Sequence, residues 1–135
     1  MSIGYGGRAR IVLQDSDMVI YEYAPYDLNE PAYRNSDKIF DGLITISKQA
    51  FVAADIHTKV KRMPSGRKMQ IAKRIRKDVD YEKLLESRAI TIENSKYCWR
   101  TMKDGYGMIA LKLVFRIFDY YQEYGTIPET MSIHY

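Results

Sequence analysis

The chain has 135 residues, of which 46% are hydrophobic and 28% charged, and a formal net charge of +4. This accommodates one domain over residues 1–135 with a core large enough to need no staples. The single cysteine, Cys98, excludes an internal disulfide framework and fits a reducing compartment. No run reaches the roughly 18 apolar residues of a membrane span, and Met1 to Gly7 carries neither a leader's apolar segment nor the Met-Gly start of an acylated chain. The expectation is a cytoplasmic protein without a membrane partner.

Arg8 to Gln14 reads as a strand around Ile11, Val12 and Leu13. Asp15-Ser16 is turn material, and Met18 to Ala24 is a second β-rich run, so the pair predicts a hairpin. Pro25 ends that strand, and residues 26–38, with Asn, Asp and Pro and no period, predict a long loop. Phe40 to Ile46 reads as a third strand, with Gly42 marking a bulge or a close approach.

Ser47 supplies an N-cap, and beyond it Val52, Ile56, Val60 and Met63 recur at i, i+4, i+8 and i+11, with Phe51 beside them. That spacing predicts a helix. Met63-Pro64-Ser65-Gly66 breaks it, and Ser65 caps a second helix running to about Lys77. Ile71, Ala72 and Ile75 form its apolar side, and Gln70, Lys73, Arg74 and Lys77 its outer side. A short third helix, Tyr81 to Ser87, is capped by Asp80 and buries Leu84 and Leu85. Arg88 to Glu93 and Lys96 to Thr101 read as strands of a hairpin across Asn94-Ser95.

Asp104 is read as the N-cap of a long helix that ends at Gly125 in the C′ position, with Pro128 beyond. Lys112, Arg116, Asp119 and Glu123 make one narrow polar stripe, so the helix is expected to be mostly covered, with Phe115 and Phe118 both in the core. Met131 to Tyr135 can add a last strand. The order is that of an α+β fold: a mainly antiparallel sheet of short-looped strands against a long, mostly buried C-terminal helix at about 105–124, with a helical segment at about 47–87 between the strand groups.

Charge is unevenly distributed. Residues 59–77 contain Lys59, Lys61, Arg62, Arg67, Lys68, Lys73, Arg74, Arg76 and Lys77 and no acid, whereas the rest of the chain is net acidic. A solvated helix ordinarily gains from Glu–Lys pairs four residues apart, and none is available here. Helix, short turn and basic helix resembles a helix-turn-helix arrangement, and the Ser65-Gly66 helix start offers free N–H groups to an anion. The candidate contact residues are Lys61, Arg62, Arg67, Lys68, Lys73, Arg74 and Lys77.

The remaining chemistry is thin. His57 and His134 are the two histidines, with no Cys-x-x-Cys and no His-x-x-x-His, so no metal site is assigned. Cys98, between Tyr97 and Trp99 in an expected strand, reads as a small buried hydrophobe. Asp15, Asp17, Asp27, Glu30, Asp37 and Asp41 sit in turns, where Asp satisfies backbone. Gly4-Tyr5-Gly6-Gly7 precedes a strand and is no dinucleotide fingerprint; Gly105-Tyr106-Gly107 opens a helix and reads as close packing.

No catalytic residue and no cofactor is assigned. The leading expectation is a non-enzymatic binding or accessory protein whose basic 59–77 face engages an acidic partner, either nucleic acid or an acidic protein, with the tyrosine-bearing 26–33 loop as a second contact. The alternative is a small enzyme built on His57 or His134 with loop carboxylates. The 12 tyrosines suit core edges or an interface, which leaves homo-oligomerisation open.

Overall fold

The computed structural model describes residues 3–102 and 104–135; Met1 and Ser2, within the segment read for a leader, lie outside the described residues. Among these, the chain runs β1 (Tyr5–Gln14), β2 (Met18–Asp27), β3 (Gly42–Ser47), β4 (Asp55–Arg62), β5 (Lys68–Ile75), α1 (Tyr81–Glu86), β6 (Ile90–Glu93), α2 (Met108–Tyr124) and β7 (Thr130–His134). Five strands form one antiparallel sheet in the order β6-β3-β2-β1-β7, and β4 and β5 form a separate two-stranded ribbon. The architecture is α+β, and among the described residues no helix is long and apolar enough to cross a membrane.

The first three strands are a meander set by local chemistry. The Asp15 carboxylate accepts bonds from the backbone N–H groups of Asp17 (2.7 Å) and Met18 (2.8 Å), closing the β1–β2 turn. Those bonds hold its pKa below the ordinary carboxylate range. β2 does not end at Pro25 as expected but continues to Asp27, with Pro25 opposite Gly7. Gly42 is a close approach: a Cβ built there would lie 2.2 Å from the Tyr23 ring.

Alternation then divides the sheet into two faces. Ala9, Val19, Tyr21, Tyr23, Ile44, Ile46, Ile90 and Ile133 point to one side, where Ile109, Ala110, Leu113, Val114, Ile117 and Phe118 of α2 cover them. Burial pushes the Tyr23 hydroxyl up to about 12, and Tyr21 is raised further in the same direction. The Tyr21 hydroxyl donates to the Pro128 carbonyl, and the Tyr23 hydroxyl accepts from the Ser95 N–H at 3.1 Å, so both buried phenols are satisfied.

The long helix departs from expectation at its start and on one side. Its N-cap is Gly107, not Asp104. The capping function passes to Asn94, whose Oδ1 accepts from the Gly107 N–H at 2.8 Å while its Nδ2 donates to the Gly105 carbonyl at 2.8 Å. Asn94-Ser95 therefore pins a loop, and Lys96 to Thr101 is no strand apart from a single bridge between Thr101 and Gly107. Gly125 ends the helix in the left-handed conformation as expected (φ 73°). Burial is one-sided: Phe118 is 1% exposed but Phe115 is 38% exposed and Tyr124 56%.

The largest correction concerns residues 47–77. The two predicted helices do not form. Lys48–Ala50 makes one 3-10 turn, and residues 55–75 form the β4–β5 hairpin. Of the expected helical segment at about 47–87, only α1 is α-helical; there Asp80 caps as predicted, accepting from the Lys83 N–H at 3.1 Å.

Candidate functional site

The sequence turns β4 back into β5 at Pro64-Ser65-Gly66. Pro64 presets the turn, and Gly66 takes a left-handed φ of 85° that other residues adopt at a cost. The Gly66 N–H donates to the Met63 carbonyl at 2.9 Å, and the Met63 N–H to the Arg67 carbonyl at 2.7 Å. Register then runs from Arg62 opposite Lys68 to Asp55 opposite Ile75. β-branched Ile56, Thr58 and Val60 at alternate positions suit the pleat.

Every residue of both strands is exposed. Cross-strand partners share a face, so one face carries His57, Lys59, Lys61, Met69, Ile71 and Lys73. The opposite face carries Ile56, Thr58, Val60, Arg62, Lys68, Gln70 and Arg74. A helix would have gathered the cations on one side; the ribbon divides them between two, with Arg67 in the turn.

The base of the ribbon is fixed to the body. The Gln122 side chain on α2, only 2% exposed, accepts from the Lys77 N–H and donates to the Lys77 carbonyl, both at 2.8 Å. Arg76 pairs with Asp119, and Lys77 with Asp55 at 3.1 Å. The Arg74 guanidinium lies against Gly125 at the C-terminus of α2, where the helix dipole favours a cation. An isolated two-stranded hairpin is marginal in water, so these contacts hold its orientation. Gln122→Ala is expected to cost about 1–3 kcal/mol, because it removes two hydrogen bonds to the part-buried Lys77 backbone. Urea denaturation checks this, and the variant should also show faster amide exchange at Lys77 than the wild type.

Of the predicted contact residues, Lys61, Arg62, Arg67 and Lys68 cluster at the free end, and Lys73 lies mid-ribbon. Arg74 and Lys77 are at the base, and Lys77 is already ion-paired. Lys59, on the same face as Lys61, belongs with the group. Among the described residues, none of the cations from Lys59 to Arg74 makes an ion pair.

The two histidines are far apart in role. His57 is exposed on the ribbon opposite Lys73. His134 on β7 is bonded through Nδ1 to the Tyr26 hydroxyl at 2.6 Å, at the rim of a cavity of about 440 Å³ on the sheet face away from α2. Burial raises the Tyr26 pKa. The expected loop carboxylates do not join His134: Asp41 accepts from the Ser95 hydroxyl and the Lys96 N–H, and no carboxylate lines that cavity among the described residues. Cys98 lies in the 94–107 loop and not in a strand; it is half-buried, its Sγ is 3.3 Å from the Arg100 carbonyl, and burial pushes the thiol up, away from nucleophilic character.

Comparison with protein-family models, with curated proteins and with solved structures finds no match.

Proposed function

We propose that this protein is a non-enzymatic nucleic-acid-binding protein, with the β4–β5 ribbon entering the major groove of a duplex. The observation that carries the reading is the distribution of unpaired cations over both faces and the tip of an exposed two-stranded ribbon. A major groove about 12 Å wide admits such a ribbon. Within it the ribbon has base edges beneath and phosphates on both flanks, so cations on either face find an anion. An acidic protein surface would meet one face and leave the other without counter-charge.

The two faces then take different parts. Arg62, Gln70 and Thr58 share a face and are donor and acceptor types that read base edges, arginine to guanine and glutamine to adenine. Lys59, Lys61 and Lys73 on the other face reach over the strand edges to phosphates, which position a protein without reading sequence. Eight residues at roughly 3.3 Å each give the ribbon a reach well beyond the groove's depth of about 8.5 Å. The exposed Val60 and Ile56 add apolar contact suited to thymine methyl groups.

The test is an amide ¹H–¹⁵N titration of the full chain with a mixed-sequence DNA duplex at low salt. Shifts confined to residues 57–73, with the amides of α2 unmoved, are expected. Shifts on the body alone, or none, would reject the reading.

A further inference from the structure

We infer that the cavity on the outer face of the sheet is a binding site for a phosphate monoester of an apolar, ring-sized group. It is separate from the ribbon and independent of the proposal made for it. At about 440 Å³ it falls within the size range of small-molecule sites. Its floor is the outer face of β1, β2 and β7, where Arg8 stands opposite both Ala24 and Ser132. Its wall is the loop between β2 and β3, carrying Leu28, Arg34, Ser36, Lys38 and Phe40.

Charge selects the ligand. Arg8, Arg34 and Lys38 line the cavity, and no carboxylate does among the described residues. Neither Arg8 nor Lys38 makes an ion pair among the described residues. A carboxylate would leave two of the three positive charges uncompensated. A phosphate monoester carries about −1.5 to −2 at neutral pH and offers oxygens that arginine forks grip in pairs. The Ser36 and Ser132 hydroxyls supply further donors. Apolar lining from Ala24, Pro25, Leu28 and Phe40 suits the group that the phosphate is attached to. The Arg10 guanidinium sits 3.8 Å over the Phe40 ring, on which it holds a cation–π contact.

The wall is built rather than loose. Asn35 is buried and donates from Nδ2 to the carbonyls of Pro25 and Ile39, both at 3.1 Å, while its Oδ1 accepts from the Ile39 N–H at 2.9 Å. The Arg34 Nε donates to the Leu28 carbonyl at 3.1 Å. Asn35 (φ 50°) and Lys38 (φ 52°) are both left-handed. A lysine there is strained, and such strain persists where the surroundings fix it, commonly at ligand clamps. Arg34 and Lys38 both line the cavity.

The probe is phenyl phosphate, titrated into the full chain and followed by amide ¹H–¹⁵N spectra. Saturable shifts at Arg8, Leu28, Ser36, Lys38 and His134 are expected. Arg8→Gln and Lys38→Gln, both at exposed positions, should each weaken binding by about tenfold or more, the loss expected for one charged hydrogen bond. Inorganic phosphate, lacking the apolar group, and benzoate, lacking the second charge, should each bind more weakly than phenyl phosphate. Shifts from phenyl phosphate that appear only on residues 57–73 would overturn the inference. So would unchanged affinity in both variants, or benzoate binding as tightly as phenyl phosphate.

Discussion

Phe118→Ala is expected to lower the unfolding free energy by about 3–5 kcal/mol, the range for a buried phenylalanine. Phe118 is 1% exposed and stacks on Phe51 at 4.8 Å, with Tyr81 at 5.5 Å. Truncation would open a cavity where α2 meets both the sheet and the segment leading into the ribbon. Phe115→Ala should cost only about 1 kcal/mol, because its main partner is the Tyr81 ring at 4.6 Å and much of it faces solvent. Urea denaturation of the two variants separates them. Equal losses would mean that α2 presents a different face to the sheet.

Reversing charge at the ribbon tip has the largest expected effect on binding. Lys61→Glu, Arg62→Glu and Lys68→Glu combined should reduce affinity for duplex DNA by about a hundredfold or more near physiological salt, since lost phosphate contacts remove counterion-release contributions and Arg62 loses its base contact. The melting temperature should stay nearly unchanged, because all three side chains are exposed and unpaired. Anisotropy titration and a thermal melt of the same preparation check both halves. Retained DNA affinity in a folded variant would remove the ribbon from the interface.

The residues of the proposed interface were legible in the sequence, but their geometry was not. A run with nine cations and no acid is visible without a structure. The shape was misread because Ile56 and Val60, and likewise Ile71 and Ile75, are four apart. That spacing puts both members on one side of a helix and, being even, on one side of a strand as well. What separates the two cases is the β-branched alternation of Ile56, Thr58 and Val60 together with Pro64-Ser65-Gly66, which is hairpin turn chemistry as much as a helix break. The absence of acids to form i, i+4 pairs pointed the same way.

The main sheet was read more faithfully because its signals are local. Asp15 closes the first turn, Asp80 caps α1 and Gly125 ends α2, each through backbone bonds within a few residues. Asp104 failed as a cap because Asn94, distant in sequence, reaches Gly107 instead. The cavity was invisible for a similar reason. It depends on β7 pairing with β1 to put Ser132 opposite Arg8 and on the Asn35 bonds that raise the loop beside them. Single-sequence spacing contains neither.

The measurement that tests the ribbon reading most directly is the salt dependence of duplex binding, followed by fluorescence anisotropy of a labelled mixed-sequence DNA. Three to five engaged cations among Lys59, Lys61, Arg67, Lys68 and Lys73 predict a log–log slope between about −2.7 and −4.5, from about −0.9 per phosphate neutralised. A slope in that range, made shallower by the tip reversal, is the expected result. No detectable binding at low salt, or a slope near zero, would contradict it.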